Sequence, residues 1–304
     1  MGSRSGSLHQ RRHPAQAAPI DRPGVTTRVR QTHPCGLTFV LAFLFTALPL
    51  AARPADAVFG PGESLTLKIT YAHLLAGRAT LEVSAGEQGG RPVLRFETRA
   101  KSEGVFAWLL RYKVDDRTVA TWEPASGCSL GIVKKLREGR AVRDQVVTID
   151  PATRTAMVED PKIREKQFPV EPCVLDVLSA LFVTRVRGVP EAEPLTLPVF
   201  DNGKAYALRV RFLGRERLDL PPPLGKKFPT IVVEPLLLEG TGLFVKEGRL
   251  KIWLTDDGRR IPVRLRTKVP IGSVSGDLER YQPPDPGPRA VYGDPRDAKM
   301  PTVE

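Results

Sequence analysis

The sequence predicts a mainly β protein: curved antiparallel sheets, arranged as a half-barrel or as two sheets, with one principal helix at about 172–187. Three observations carry this expectation. Most of the chain from Glu63 to Tyr281 is built of short segments in which apolar and polar residues alternate with a period of two. Clusters of Gly, Pro, Asp and Asn separate those segments at short intervals. Only 172–187 changes to a three- and four-residue repeat, through Leu175, Leu178, Leu181, Phe182 and Val186, and Gly188 ends it.

The clearest single unit is 248–269, which reads as two arms and the tip of one hairpin. Leu250, Ile252 and Leu254 alternate with Arg249, Lys251 and Trp253 on the first arm. On the second, Ile261, Val263, Leu265 and Val269 oppose Arg260, Arg264, Arg266 and Lys268. Asp256-Asp257-Gly258 supplies carboxylates for nearby backbone N–H groups and a glycine for positive φ, the chemistry of a tight turn. Pro262 has no N–H, which suits it to an edge or a bulge. A sheet that is apolar on one face must cover that face, and a second sheet, a helix or a ligand can do so.

Taken in order, strands are expected from Glu63 through Tyr71, at 77–84 and at 92–101, with His73 in a hairpin tip. A short helical turn is expected at 102–110, capped by Ser102. Further strands are expected at 112–122, 131–137, 142–149 and 155–158. After the helix come 195–200, 205–213, 230–238, the hairpin and a last strand at 272–281. The β-rich region 58–281 divides into possible halves at 58–160 and 190–281 joined by the helix, and 282–304 reads as a disordered Pro-rich tail.

Ahead of the strands, 1–34 is rich in Arg, Gln, His and Pro, an apolar run follows at 37–52, and Ala55 and Ala57 form a small-x-small end. A basic leader and an apolar run shorter than the ~20 residues of a bilayer span read as a secretory signal peptide, cleaved before Val58. The expected location is therefore the periplasm, the alternative being an inner-membrane anchor through 37–52. Removing 1–57 takes away seven Arg and two Asp, which lowers the net charge from +12 to +7. Cys128 and Cys173 then remain as an even pair in an oxidising compartment, a candidate disulfide.

Catalytic signatures are sparse. His73 is the one histidine beyond residue 57, and the chain holds no H-E-x-x-H, P-loop or C-x-x-C pattern. Asp115-Asp116 and Asp256-Asp257 read as turn chemistry rather than as a glycosidase pair. No catalytic, cofactor or metal residue is assigned, and no nucleic-acid partner is expected, because aromatics are not interleaved with the basic residues. Arg209, Arg211, Arg249, Lys251, Arg264 and Arg266 form a candidate basic face across adjacent strands.

Several blocks together resemble the bacterial exported family called domain of unknown function 3108. They are Phe59-Gly60-Pro61-Gly62-Glu63, Ala76-Gly77-Arg78-Ala79, and Gly104 with Tyr112-x-Val114. Asp176-x-x-Ser179 with Arg185, Asp201-x-Gly203-Lys204-x-Tyr206, and Leu250-x-Ile252-Trp253-Leu254-x-x-Asp257 with Pro262-Val263 complete the set. The resemblance covers roughly 58–281 and implies no catalytic residues. The Trp253-x-x-Asp256-then-Pro262 hairpin is also similar to one in periplasmic lipoprotein carriers, a likeness of one hairpin only. Two functions are then expected of a non-enzymatic envelope protein. In the first, a concave apolar face holds a lipid-like or other apolar ligand. In the second, an interaction or assembly module docks an envelope protein or anionic surface through its basic face and strand edges.

Overall fold

The structure is a computed structural model, and it describes residues 58–103, 113–161, 164–236, 250–268 and 272–286. The leader and its cleavage site, the expected turn within 104–110, Arg249 and the tail from 287 onward lie outside the described residues. Among the described residues no helix is long and apolar enough to cross a membrane.

Alternating segments become fourteen strands in one antiparallel sheet. They are β1 Ser64–Tyr71, β2 Leu74–Gln88, β3 Arg91–Ser102, β4 Asp115–Glu123, β5 Cys128–Glu138, β6 Ala141–Asp150, β7 Thr155–Asp160 and β8 Arg164–Pro169. After the helix α1, Val177–Arg187, come β9 Leu195–Asp201, β10 Lys204–Leu218, β11 Phe228–Leu236, β12 Lys251–Thr255, β13 Pro262–Lys268 and β14 Ser273–Gln282. The spatial order runs from β8 down to β1, then from β14 down to β9. Every hairpin neighbour in sequence is a neighbour in space, and the single non-local ladder is β1 against β14. That ladder joins the two expected halves into one curved sheet, so they share a hydrogen-bonded strand pair rather than standing apart.

The curvature has local causes. Register shifts interrupt the β1–β14, β1–β2, β4–β5, β10–β11 and β12–β13 ladders, and each extra residue bends its strand and increases the local twist. Pro262 starts β13 at such a shift, opposite Leu254, where its missing N–H is tolerated. Gly77 lies where β2 crosses close to β3; a Cβ there would meet the Lys101 carbonyl oxygen at 2.1 Å. Chain beyond Tyr281 is ordered as far as 286, since β14 includes Gln282 and the Asp285 N–H donates to the Pro61 carbonyl at 2.9 Å.

The strand β8, REKQFP, was not among the expected elements. It has almost no apolar alternation because it is the end strand of the sheet, with most of its length in solvent.

The sheet does not close: β8 and β9 are its two ends. The chain between them bridges the gap. The Val174 carbonyl accepts from Ser129 of β5, and Leu175 makes a parallel bridge to Val199 of β9 through hydrogen bonds of 2.9 and 2.8 Å. Cys173 and Cys128 are joined by a disulfide at the same place, with Cα atoms 4.6 Å apart. Around the opening, the Phe168 ring of β8 packs on Phe200 of β9 with centroids 5.7 Å apart, and Lys134 pairs with Asp201.

The helix is shorter than expected. Residues 172–176 are the bridging segment, with Cys173 at φ 61°, and α1 begins only after Asp176. It also buries a different face. Leu178, Leu181 and Val186 of the apolar repeat are only partly buried, whereas Ser179, Thr184 and Arg185 are inside together with Ala180, Phe182 and Val183. The polar side chains face inward because each has a partner there.

The disulfide closes a loop of sequence separation 45, and the chain-entropy model gives such a staple ~4 kcal/mol. Cys128→Ser combined with Cys173→Ser is expected to lower the unfolding free energy by about that much in urea titrations. A loss under roughly 1 kcal/mol would mean that the bridge adds no constraint beyond the hydrogen bonds beside it.

Candidate functional site

The blocks scattered along the sequence meet inside the sheet. Arg185, on the inner face of α1, is fully buried and makes a bidentate ion pair with Glu63, whose carboxylate is also fully buried. Its Nη1 and Nη2 donate to the two Glu63 oxygens at 2.8 Å each. Nη2 also donates to the Val58 carbonyl at 2.8 Å, and Nε to the Arg259 carbonyl at 3.1 Å. Tyr281 donates to Glu63 Oε1 at 3.3 Å, and burial pushes the Tyr281 phenol up to about 12. A buried charge pair of this kind is tolerable only when geometry and hydrogen bonds replace the lost water, which four donor contacts from one guanidinium do.

Aromatic rings surround the pair. Phe59 packs against Phe182 at 4.7 Å and Phe96 at 5.7 Å, while Phe96 stacks on Phe182 at 3.7 Å and Trp122 lies 6.1 Å from Phe59. The Arg185 guanidinium carbon is 5.3 Å from both the Phe59 and Phe182 centroids. The strap 58–63 thus enters the concave side from one end and α1 from another, and together they fill it.

Each end of α1 is held by a polar group. Asp176 caps the N-terminus, accepting from Leu178 N–H at 2.8 Å and Ser179 N–H at 3.0 Å. Its other oxygen accepts from the hydroxyls of Ser129 at 2.7 Å and Ser179 at 2.6 Å. Burial moves the Asp176 carboxyl above the usual range, against the opposing pull of those donors. At the C-terminus Gly188 takes φ 71°, and the Arg260 guanidinium donates to the Arg185 carbonyl at 2.8 Å.

Arg260 is aimed by the hairpin tip. Asp257 accepts from the Arg259 and Arg260 N–H groups at 3.1 Å each and from the Thr255 hydroxyl at 2.7 Å. Burial raises the Asp257 carboxyl, but these donors and the Arg259 guanidinium bring it net below its ordinary value. The turn reading of Asp256-Asp257 therefore holds, with the addition that the turn clasps the helix. Asp115 and Asp116, expected in a turn, are instead the first residues of β4, opposite Lys101 and Ala100, and Asp116 accepts from the Arg137 N–H at 2.8 Å; His73 is exposed in the β1–β2 turn at φ 70°.

The expected basic face is more mixed than its residue types imply. Arg211 pairs with Glu234 and Arg264 with Asp277, and Arg264 also lies over the Trp253 ring at 5.8 Å. Trp253 is buried on this outer side and donates from Nε1 to Glu216 at 2.8 Å. Arg209, Lys251 and Arg266 are exposed, and Lys251 stands directly opposite Arg266 in the β12–β13 register. Arg266 donates to Ser275 at 3.2 Å. Like charges face to face on a sheet repel.

Arg185→Met is expected to lower stability by about 3–5 kcal/mol, because it strands the Glu63 carboxylate in the core. Adding Glu63→Gln should recover part of that loss in thermal or urea unfolding; strictly additive losses would mean that the two groups are not coupled. For Asp176 the sign follows from its raised folded-state pKa: its contribution is full below the unfolded value near 4 and fades as pH rises through the folded value. The stability deficit of Asp176→Asn should therefore be largest in acid and shrink toward neutral pH. A deficit that grows with pH would contradict this.

None of the curated proteins matches this chain. Among solved structures, it is similar to the crystal structure of a beta-barrel-like protein of domain of unknown function DUF1849 from Brucella abortus. The identity is 11%, the match covers 73% of this chain and 98% of that one, and the TM-score is 0.49. The model of the family described as Protein of unknown function (DUF3108) matches residues 66–279, more than half the sequence, and the chain belongs to that family.

Proposed function

We propose that this is a non-enzymatic exported envelope protein that works from its outer surface, docking an anionic envelope surface on the cationic row Arg209, Lys251 and Arg266. One observation carries the reading. The concave side is filled by α1, the strap 58–63 and the Phe59, Phe96, Trp122 and Phe182 rings, while the convex side presents Lys251 opposite Arg266 without a carboxylate between them. Export is supported by the basic leader with its apolar run and by the Cys128–Cys173 disulfide, which persists in oxidising compartments.

A lipid-like ligand held in the concave face is the second reading. It is favoured by the gap between β8 and β9, where Phe168 and Phe200 meet without a strand ladder. A ligand entering there has to displace α1 or part of the ring cluster, since those groups already occupy the apolar face. Native mass spectrometry of the purified protein separates the two: bound lipid supports the second reading and a bare polypeptide mass the first.

Each cation near an anionic membrane contributes about 1 kcal/mol, so Lys251→Gln with Arg266→Gln is expected to weaken binding to phosphatidylglycerol-rich vesicles by roughly 30-fold. Co-sedimentation measures this, with phosphatidylcholine vesicles as the uncharged comparison. Unchanged binding of the double variant would remove the cationic row from the account.

A further inference from the structure

The convex side carries a second charge conflict, of opposite sign, at the far end of the sheet. On β7 and β8, Glu159 stands directly opposite Glu165, and neither has an ion-pair partner among the described residues. Their neighbours line an open groove of about 510 Å³ formed by Asp144, Val146, Glu159, Asp160, Pro161 and Glu165. Val146 in the groove is 38% exposed, and Met157, beyond it on the same face of β7, is 37% exposed. β8 beside it is an end strand with a free backbone edge.

Two carboxylates in register repel, and exposed Val and Met on the same face are left without cover. Like charges also oppose each other at Lys68–Arg78 and Arg117–Lys135; here, among the described residues, the opposed carboxylates lack an ion-pair partner and lie beside exposed apolar side chains, a combination that an outside contact would relieve. The complementary surface lies on the same molecule. Arg209, Lys251 and Arg266 are exposed cations there, Lys251 stands opposite Arg266 as the mirror pair, and Leu213 of β10 is 37% exposed. Charge and apolar content match in both directions.

We propose that the acid-rimmed groove on β6–β8 is the docking site for the cationic row on β10–β13 of a second copy of this chain. This rests on the reading of that row as a docking surface and names a polypeptide partner for it. The two patches are different parts of the chain, so the contact is head-to-tail and each added copy leaves one groove and one row open. The association is electrostatically steered and weakens with salt.

Sedimentation velocity on the exported, disulfide-bonded protein tests it at low and high salt, without vesicles. The wild type should sediment faster as its concentration rises, and salt should reverse this. Glu159→Lys with Glu165→Lys should abolish the effect, as should Lys251→Glu with Arg266→Glu, all four sites being exposed. An equimolar mixture of the two charge-reversed proteins should restore it, because each then offers the surface the other lost. A wild type that stays monomeric, reversals without effect, or a mixture that fails to associate overturns the proposal. Vesicle binding is measured separately: if it depends on Lys251 and Arg266 while the protein stays monomeric, the cationic row stands and the self-docking fails. Folding of each variant is checked by circular dichroism, and the mixing result does not depend on either variant alone.

Discussion

The fold depends on one buried charge pair. Arg185 and Glu63 come from opposite ends of the described chain's first two-thirds, and neither can be inside without the other. Removing water from a guanidinium and a carboxylate is unfavourable by several kcal/mol per ion, and only a close bidentate contact with every nearby carbonyl enlisted offsets it. That demand fixes three things at once. The strap 58–63 must lie under the helix, α1 must present its polar side inward, and the 256–260 turn must close over the helix C-terminus. The pair thus acts as a specificity device for the packing of α1, in addition to whatever stability it adds.

An open sheet of fourteen strands has to solve a second problem, since its two ends are unpaired. Here the end strands are adjacent in sequence, separated by the bridging segment and α1, so the chain that connects them also spans the gap. Hydrogen bonds from Val174 to β5 and from Leu175 to β9, with the disulfide alongside, take the place of a closing ladder. The opening that remains is lined by Phe168, Phe200 and the Lys134–Asp201 pair, contacts between side chains rather than backbones. Side-chain contacts separate at lower free energy than a strand ladder does, so the two ends of the sheet are held together less firmly here than neighbouring strands are.

The interior is occupied by the protein's own groups, and this shifts attention to the convex side. That face mixes compensated charge, such as Arg211–Glu234 and Arg264–Asp277, with spots where like charges oppose each other, Lys251–Arg266 and Glu159–Glu165 among them. The compensated pairs make a soluble surface.

Alternation made most strands legible, because a one-sided sheet repeats its apolar residues every second position whatever it packs against. β8 escaped, since an end strand in water needs no such repeat. The family blocks around Glu63, Asp176, Arg185 and Asp257 were legible as an ordered set, but not as one cluster. Asp176, Ser179 and Arg185 are polar residues off the apolar repeat of 172–187, the side that usually faces water. Their burial follows from partners on β5, the strap and the hairpin tip that lie 47 to 127 residues away in sequence, a separation no local pattern encodes. The sequence by itself therefore determined the β class, the strand periods, the turn at Asp257 and the presence of one helix, all properties of neighbours along the chain. Tertiary structure alone decided which face of that helix went inside, that β1 pairs with β14, and that Cys128 meets Cys173, because these are settled by the energy of groups brought together from distant positions.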